Sequence, residues 1–204
     1  MQRHVILFAR FPQYGRVKTR LARDIGPLAA LRFYKSTLAS VHRRLQPMPN
    51  TTFHVSLTPD WVIDEGPGPM FDDAWMLRQG TGDLGQRMAR AFRIPPPGPV
   101  LIIGSDIPDI RPARLESAFS ALGCHDAVFG PSKDGGYWLV GLKRLRATPR
   151  HFMRGVRWSS ENALKDTLAT LPKHWAISYI EALDDIDTGS DYAAFTSRSM
   201  MGRL

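Results

Sequence analysis

Six short apolar runs limit what this chain can fold into: HVILFA at 4–9, TFHVSL at 52–57, PVLII at 99–103, DAVF at 126–129, GYWLVGL at 136–142 and AISYI at 176–180. Each has the length and the β-branched or aromatic content of a strand. Between them lie stretches with apolar residues at helical spacing, at 27–46, 84–93, 111–122, 160–171 and 190–199. Strands that alternate with helices predict an α/β chain: a three-layer α/β/α sandwich around a Rossmann-like, mostly parallel sheet. The first and third runs are continuously hydrophobic, as expected of strands covered on both faces. Ser159 or Ser160 and then Ser190 stand where helix N-caps belong. No repeat or low-complexity tract interrupts the pattern, and PPPG at 95–98 reads as a loop, so residues 1–204 are expected to form one domain.

Charge narrows the function classes. The chain has 27 basic and 19 acidic residues, a net charge of +8, which suits a phosphorylated ligand or nucleic acid. Its distribution says more than the sum. Arg3, Arg10, Arg16, Lys18, Arg20 and Arg23 all precede the first carboxylate, Asp24, whereas Glu181, Asp184, Asp185, Asp187 and Asp191 gather late. A uniformly basic nucleic-acid face is not built this way, and no aromatic-rich RNA-binding signature appears, although the net charge keeps a non-catalytic nucleotide- or RNA-binding module in view. Cys124 is the only cysteine, which excludes an internal disulfide and a multi-cysteine metal site. No apolar stretch reaches the length of a membrane span, and HVILFA is short for a signal-peptide core, so a cytoplasmic protein is expected. The histidines show no ligand spacing.

In an open α/β sheet, ligands bind beyond the carboxyl ends of the strands. After the first strand comes RFPQYGRVKTRL at 10–21, where Arg10, Gly15, Lys18 and Arg20 suit an anion: glycine permits close approach of backbone amides and the cations neutralise charge. The segment is neither a Walker-type phosphate loop nor G-x-G-x-x-G. After the third apolar run comes GSDIPD at 104–109. Asp106 there suits a hard divalent cation held against a diphosphate, and equally suits an Asx turn before proline. Asp134-Gly135-Gly136 is good hairpin chemistry, while its glycines also let the main chain pass close beneath a sugar or phosphate, with Asp134 able to meet a metal or a hydroxyl. QGTGDLGQRM at 79–88, with Gly82 and Asp83, reads either as a base or ribose pocket or as a connector. Asp187, after the last run, reads as a metal ligand or a helix cap.

Taken in order, RFPQYGRVKTRL, QGTGDLGQRM, GSDIPD, GPSKDGGYWLVG (130–141), WSS (158–160) and DIDT (185–188) resemble the GT-A, or nucleotide-diphospho-sugar transferase, superfamily, and within it a bacterial family of small proteins. The likeness spans nearly the whole chain. It implies that Asp106 does the metal work of the superfamily's D-x-D, completed by Asp187, with Mg²⁺ or Mn²⁺ as the ion. Arg10, Lys18 and Arg20 resemble the triphosphate-binding segment of nucleotidyltransferases such as 2-phospholactate guanylyltransferase; molybdenum-cofactor guanylyltransferase is a further relative in kind. No literal D-x-D ends the third strand, where Ser-Asp-Ile stands instead, and Arg10 replaces the usual lysine. The resemblance implies a metal-dependent glycosyltransferase that uses a nucleotide sugar and a small-molecule acceptor, with Asp106 and Asp134 as catalytic residues. Nucleotidyl transfer from an NTP to a phosphorylated small molecule is the alternative. Gly135 and Gly136 join the phosphate-binding set, no nucleic-acid partner is expected, and a homodimer is compatible.

Overall fold

The structure, a computed structural model, describes residues 1–71, 73–145 and 147–201. The chain runs β1 (Arg3–Arg10), α1 (Thr19–Ile25), α2 (Pro27–Leu45), β2 (Thr51–Thr58), α3 (Trp61–Glu65), β3 (Trp75–Arg78), α4 (Leu84–Ala91) and β4 (Val100–Gly104). It continues through α5 (Pro112–Cys124), β5 (Ala127–Pro131), β6 (Tyr137–Leu142), α6 (Ala163–Ala169), β7 (Ile177–Tyr179) and α7 (Gly189–Met201). The seven strands form one sheet in the order β3-β2-β1-β4-β6-β5-β7. All neighbours are parallel except β6, which runs antiparallel to β4 and to β5.

Strand alternation divides the core between two faces. Val5, Leu7 and Ala9 of β1, with Leu101 and Ile103 of β4, pack on one side beneath α2 and α5. Ile6 of β1, with Val100 and Ile102 of β4, packs on the other against Met88 and Phe92 near α4 and the partly buried Leu164 and Leu168 of α6. The covering helices present stripes at helical spacing, such as Leu115, Ala118, Phe119 and Leu122 of α5. Proline opens α2 and α5 at the first turn, where its missing N–H costs nothing. This is the expected three-layer sandwich, and β1 and β4 are the strands covered on both faces.

Several local expectations are corrected. The six apolar runs do not include β3, which has only four residues and lies at the sheet edge, so its apolar signal is weak. α6 starts at Ala163 behind Asn162, not at Ser159 or Ser160; Ser160 Oγ instead donates to the Arg157 carbonyl (2.7 Å) and accepts from Asn162 N–H (3.3 Å). Thr188, not Ser190, caps α7: its Oγ1 accepts from Asp191 N–H (3.3 Å), and Asp191 Oδ2 accepts from Thr188 N–H (2.8 Å). No helix of the described residues is long and apolar enough to cross a membrane.

Candidate active site

The sheet topology brings the carboxyl ends of β1 and β4 side by side. Tyr34 of α2 ties them together. Its hydroxyl donates to the Arg10 carbonyl (2.8 Å), accepts from Arg10 N–H (3.2 Å) and lies 3.1 Å from Ser105 Oγ. Beyond β1 the chain turns through Gly15, at φ +68°, and enters α1 through Lys18, which adopts the left-handed conformation (φ 46°, ψ 48°). A non-glycine residue held there costs about 1–3 kcal/mol and marks a position that its surroundings over-determine.

Those surroundings are three carboxylates. Lys18 Nζ lies 2.8 Å from Asp106 Oδ2, 3.2 Å from Asp185 Oδ2 and 2.7 Å from Asp187 Oδ1, with the lysine side chain only 4% exposed. Arg20 reaches Asp187 Oδ2 at 3.3 Å from a solvated position. Burial works against the Lys18 charge, but Asp106 and Asp185 by their fields and Asp106 and Asp187 by hydrogen bonds overcome it, and its pKa lies above the ordinary lysine range. Asp185 bears the opposite consequence. Burial, offset by Lys18 and reinforced by Asp106 and Asp187, pushes its carboxyl up to about 6. Asp187 is also half-buried, yet the Lys18 contact holds it below the ordinary value.

Three carboxylates meet one buried ammonium and, at the edge, the Arg20 guanidinium, which leaves a net negative charge in the cluster. One oxygen from each of Asp106, Asp185 and Asp187 lies within 4.8 Å of the others. Hard oxygen donors, that spacing and that charge deficit fit a divalent cation such as Mg²⁺ or Mn²⁺. The fit includes Asp106 and Asp187, the two ligands expected from the sequence.

Asp185 was missed, although its signal is visible. Asp185-Ile186-Asp187 is the D-x-D spacing absent from the end of β4, displaced to the far end of the chain. In extended backbone, residues two apart face the same way. Ile186, 5% exposed, packs with Leu21, Ala30 and Phe33 beneath α1 and α2, and its neighbours turn to Lys18.

The basic segment divides its roles. Lys18 is committed to the carboxylates, whereas Arg10 and Arg20 remain exposed, Arg10 reaching back to the Arg16 carbonyl at 3.4 Å. A cation that the sequence did not single out joins them. Arg87 of α4 holds Gln79 Oε1 at 2.8 Å, and its pKa is lowered first by burial and next by Arg10, so two guanidiniums face one another across the carboxyl ends of β1 and β3. Gln79 itself is buried and donates to the Ala9 and Ser56 carbonyls (both 2.9 Å), while Asp60 accepts from Gln79 and Gly80 N–H. Gly82, at φ +106°, leads to Asp83, which caps α4 in a reciprocal pair with Gln86. The connector reading thus accounts for Asp83.

A cavity of about 340 Å³ opens beside Asp106 and Asp185, between β4, β6, α4 and the 158–160 segment. Asp134, Gly136 and Ser132 line it from the β5–β6 hairpin. Asp134 Oδ1 accepts from Ser132 Oγ (2.6 Å) and Gly136 N–H (3.0 Å), which is hairpin-turn bonding, and no donor among the described residues meets Oδ2. Gly135, at φ +81°, lies against the Glu161 backbone, where a Cβ would overlap the carbonyl. Gly85, in the QGTGDLGQRM motif, leaves room for the Trp158 ring and the Met153 carbonyl in the same manner. Of the two aromatics opening β6, Trp138 is buried in the core with its Nε1–H on the Glu181 carbonyl (3.0 Å), and both it and Tyr137 line the cavity.

Residues 41–160 match the model of a family described as an uncharacterized protein conserved in bacteria, DUF2064. The chain belongs to this family. The matched span contains Asp106, Asp134 and the glycine loop, whereas Lys18, Asp185 and Asp187 lie outside it. No curated protein matches the chain. Among solved structures, it is similar to a protein of Desulfovibrio desulfuricans G20 described provisionally as a nucleotide-diphospho-sugar transferase, with a TM-score of 0.83 and 24% identity over 96% of this chain and 87% of that one. It is similar also to 4-diphosphocytidyl-2C-methyl-D-erythritol synthase from Anaerococcus prevotii (TM-score 0.64, 9% identity, 98% and 96% of the chains). Rv0371c from Mycobacterium tuberculosis H37Rv, in complex with manganese, gives a TM-score of 0.54 at 14% identity over 95% and 97%. The chain shares the fold of these proteins, the GT-A-like sandwich that the motifs implied.

Proposed function

We propose that the protein is a metal-dependent transferase that takes a nucleotide-diphospho-sugar and passes the sugar to an acceptor hydroxyl. One observation carries this reading: the cationic segment after β1 and the carboxylates of Asp106, Asp185 and Asp187 meet at one point, at the mouth of a cavity. Proteins of this fold include one described provisionally as a nucleotide-diphospho-sugar transferase, a 4-diphosphocytidyl-2C-methyl-D-erythritol synthase and a protein in complex with manganese, which supports a transferase of nucleotide-bearing substrates.

Asp106, Asp185 and Asp187 are the residues that would hold Mg²⁺ or Mn²⁺. When bound, such an ion supplies Lewis-acid neutralisation of the diphosphate leaving group. Arg10 and Arg20, both exposed, and the half-buried Arg87 supply positive charge for the phosphates, while Gly15 and Gly82 relieve the turns that carry them. Lys18 keeps the three carboxylates converged until the ligand arrives. As the bond between the anomeric carbon and the diphosphate oxygen breaks, the acceptor oxygen forms the new bond, and its proton passes to Asp134 Oδ2, the free carboxylate oxygen on the cavity rim.

The density of cations after β1 favours a second reading, nucleotidyl transfer, in which an acceptor oxygen attacks the α-phosphorus of an NTP and pyrophosphate departs. Thermal shifts with UDP-glucose, GDP-mannose and each NTP, with and without Mn²⁺, separate the two. Mn²⁺-dependent stabilisation by a nucleotide sugar, lost in Asp106→Asn, is the expected result. Preference for an NTP supports the second reading. Indifference to every nucleotide, with salt-sensitive RNA binding, leaves a non-catalytic module.

A further inference from the structure

The cavity beside the acidic cluster has a character of its own. Its wall is apolar and aromatic, made by Phe8, Met88, Ile102, Tyr137, Val140 and Trp158. Its charged groups are carboxylates only: Asp106, Asp134 and Asp185. No Lys or Arg lines it among the described residues. The Lys18 ammonium is buried and already bonded to Asp106, Asp185 and Asp187, and Lys133, between Ser132 and Asp134 on the hairpin, is exposed and paired with Asp184. Arg157, adjacent to Trp158 in sequence, is directed to Asp166 at 2.8 Å. The cations suited to phosphate, Arg10, Arg20 and Arg87, belong to the β1 turn and α4 and are not part of the lining.

With no metal ion on Asp106 and Asp185, a phosphate or carboxylate placed in this space would meet three carboxylates, two of which already share the Lys18 ammonium, and would exchange water for an apolar wall. A ring with an apolar face meets the opposite situation, because it covers the Tyr137 and Trp158 rings and its hydroxyls reach a rim of acceptors. Trp158 lends its ring to the wall, with its Nε1–H buried and without a partner among the described residues, and the Tyr137 hydroxyl is paired with Thr167 Oγ1 at 3.2 Å. At about 340 Å³ the space equals roughly eleven waters of ~30 Å³ each, enough for one substituted ring.

We infer that this cavity is a subsite for an uncharged, hydroxylated small molecule with an apolar ring face, and that it discriminates against phosphorylated and carboxylated compounds. Its designation as the acceptor subsite rests on the transferase reading; the ligand chemistry does not. The inference places discrimination on Trp158 and on the three carboxylates.

Indole N–H resonances test it without metal or nucleotide. The chain has five tryptophans, so a ¹H–¹⁵N spectrum shows five indole signals, and Trp158→Phe assigns one. Matched pairs serve as probes: phenyl β-glucoside with its 6-phosphate, and cyclohexylmethanol with its phosphate ester. The neutral members should shift the Trp158 signal at millimolar concentration, and the esters should bind at least about tenfold more weakly. Ser159→Lys, which sets a cation on the exposed rim, should narrow that gap. Esters that bind as tightly as their parents, or a Trp158 signal unmoved by both neutral probes, would overturn the inference. Parallel titration with UDP-glucose and Mn²⁺ separates the two claims. Neutral rings that bind to a protein indifferent to nucleotides sustain the cavity chemistry and remove the acceptor role. Nucleotide binding with inert rings removes the cavity chemistry alone.

Discussion

Replacing Lys18 by methionine keeps the length of the buried stem and deletes the ammonium that three carboxylates share. The remaining oxygens lie within 4.8 Å of one another. At an effective dielectric constant of about 20, two like charges at that distance repel by about 3.5 kcal/mol. Three such pairs set the scale of a repulsion that protonation relieves, since burial already pushes the Asp185 carboxyl up to about 6. Removing one partner of a buried ionic cluster costs about 3–5 kcal/mol, which in a chain of this size lowers Tm by roughly 6–20 °C. A divalent ion offers the missing charge, and at a hundred times its Kd it returns about 2.7 kcal/mol. Differential scanning fluorimetry at pH 7.5, in EDTA and then in Mn²⁺, measures both effects. Lys18→Met should melt well below wild type in EDTA and gain more from Mn²⁺ than wild type does, because no ammonium competes for the carboxylates. Arg20→Ala, at an exposed position, should cost less than about 1 kcal/mol and serves as the control. A variant that melts within about 2 °C of wild type in EDTA, or that gains no more than wild type from the ion, refutes the argument.

Asp185→Asn should weaken Mn²⁺ by at least about tenfold in calorimetric titration while the far-ultraviolet circular dichroism stays native; an unchanged affinity removes Asp185 from the ligand set. A second site of pH sensitivity lies at the other end of the sheet, where His4 Nδ1 and His54 Nε2 meet at 3.2 Å in the core. Burial first, and His4 second, lowers the His54 pKa from 6.5 to about 4, so the unfolded chain binds the extra proton between those values. Folding stability should therefore fall by about 3 kcal/mol as pH drops from 6.5 to 4. Urea unfolding of His54→Leu should show a flatter slope across that window, and an identical slope would assign the effect elsewhere. Gly135→Ala combines a positive φ with overlap on the Glu161 backbone, and should cost more than about 1 kcal/mol in urea unfolding; a neutral result would show that the 160–163 segment gives way.

Much of this was legible because the periods are strong. β1 and β4 declare themselves by continuous apolar runs, and α2 and α5 by their stripes. What escaped is short or non-local. α1, α3 and β3 have four to seven residues, too few for a period to emerge. The antiparallel direction of β6 was signalled by Asp134-Gly135-Gly136, which turns the chain back upon β5. Asp106 and Asp187 were legible from position and motif, but Asp185 required knowing that Ile186 is pinned under α1 and α2 and so aims both neighbours the same way. Lys18 was visible as a cation, yet its commitment to carboxylates 88 to 169 positions later follows from topology alone. The Arg10–Arg87 approach is likewise a product of the fold.

The separation of the triad along the chain has a consequence for biogenesis. Asp106 arrives with the central strand, but both members of the Asp185-Ile186-Asp187 segment are synthesised after every strand of the sheet. A ribosome-bound precursor ending near residue 180 holds all seven strands and carries Lys18 with a single aspartate beside it. The acidic cluster is therefore completed last, when the segment around Ile186 packs over the two helices that the chain made among its first.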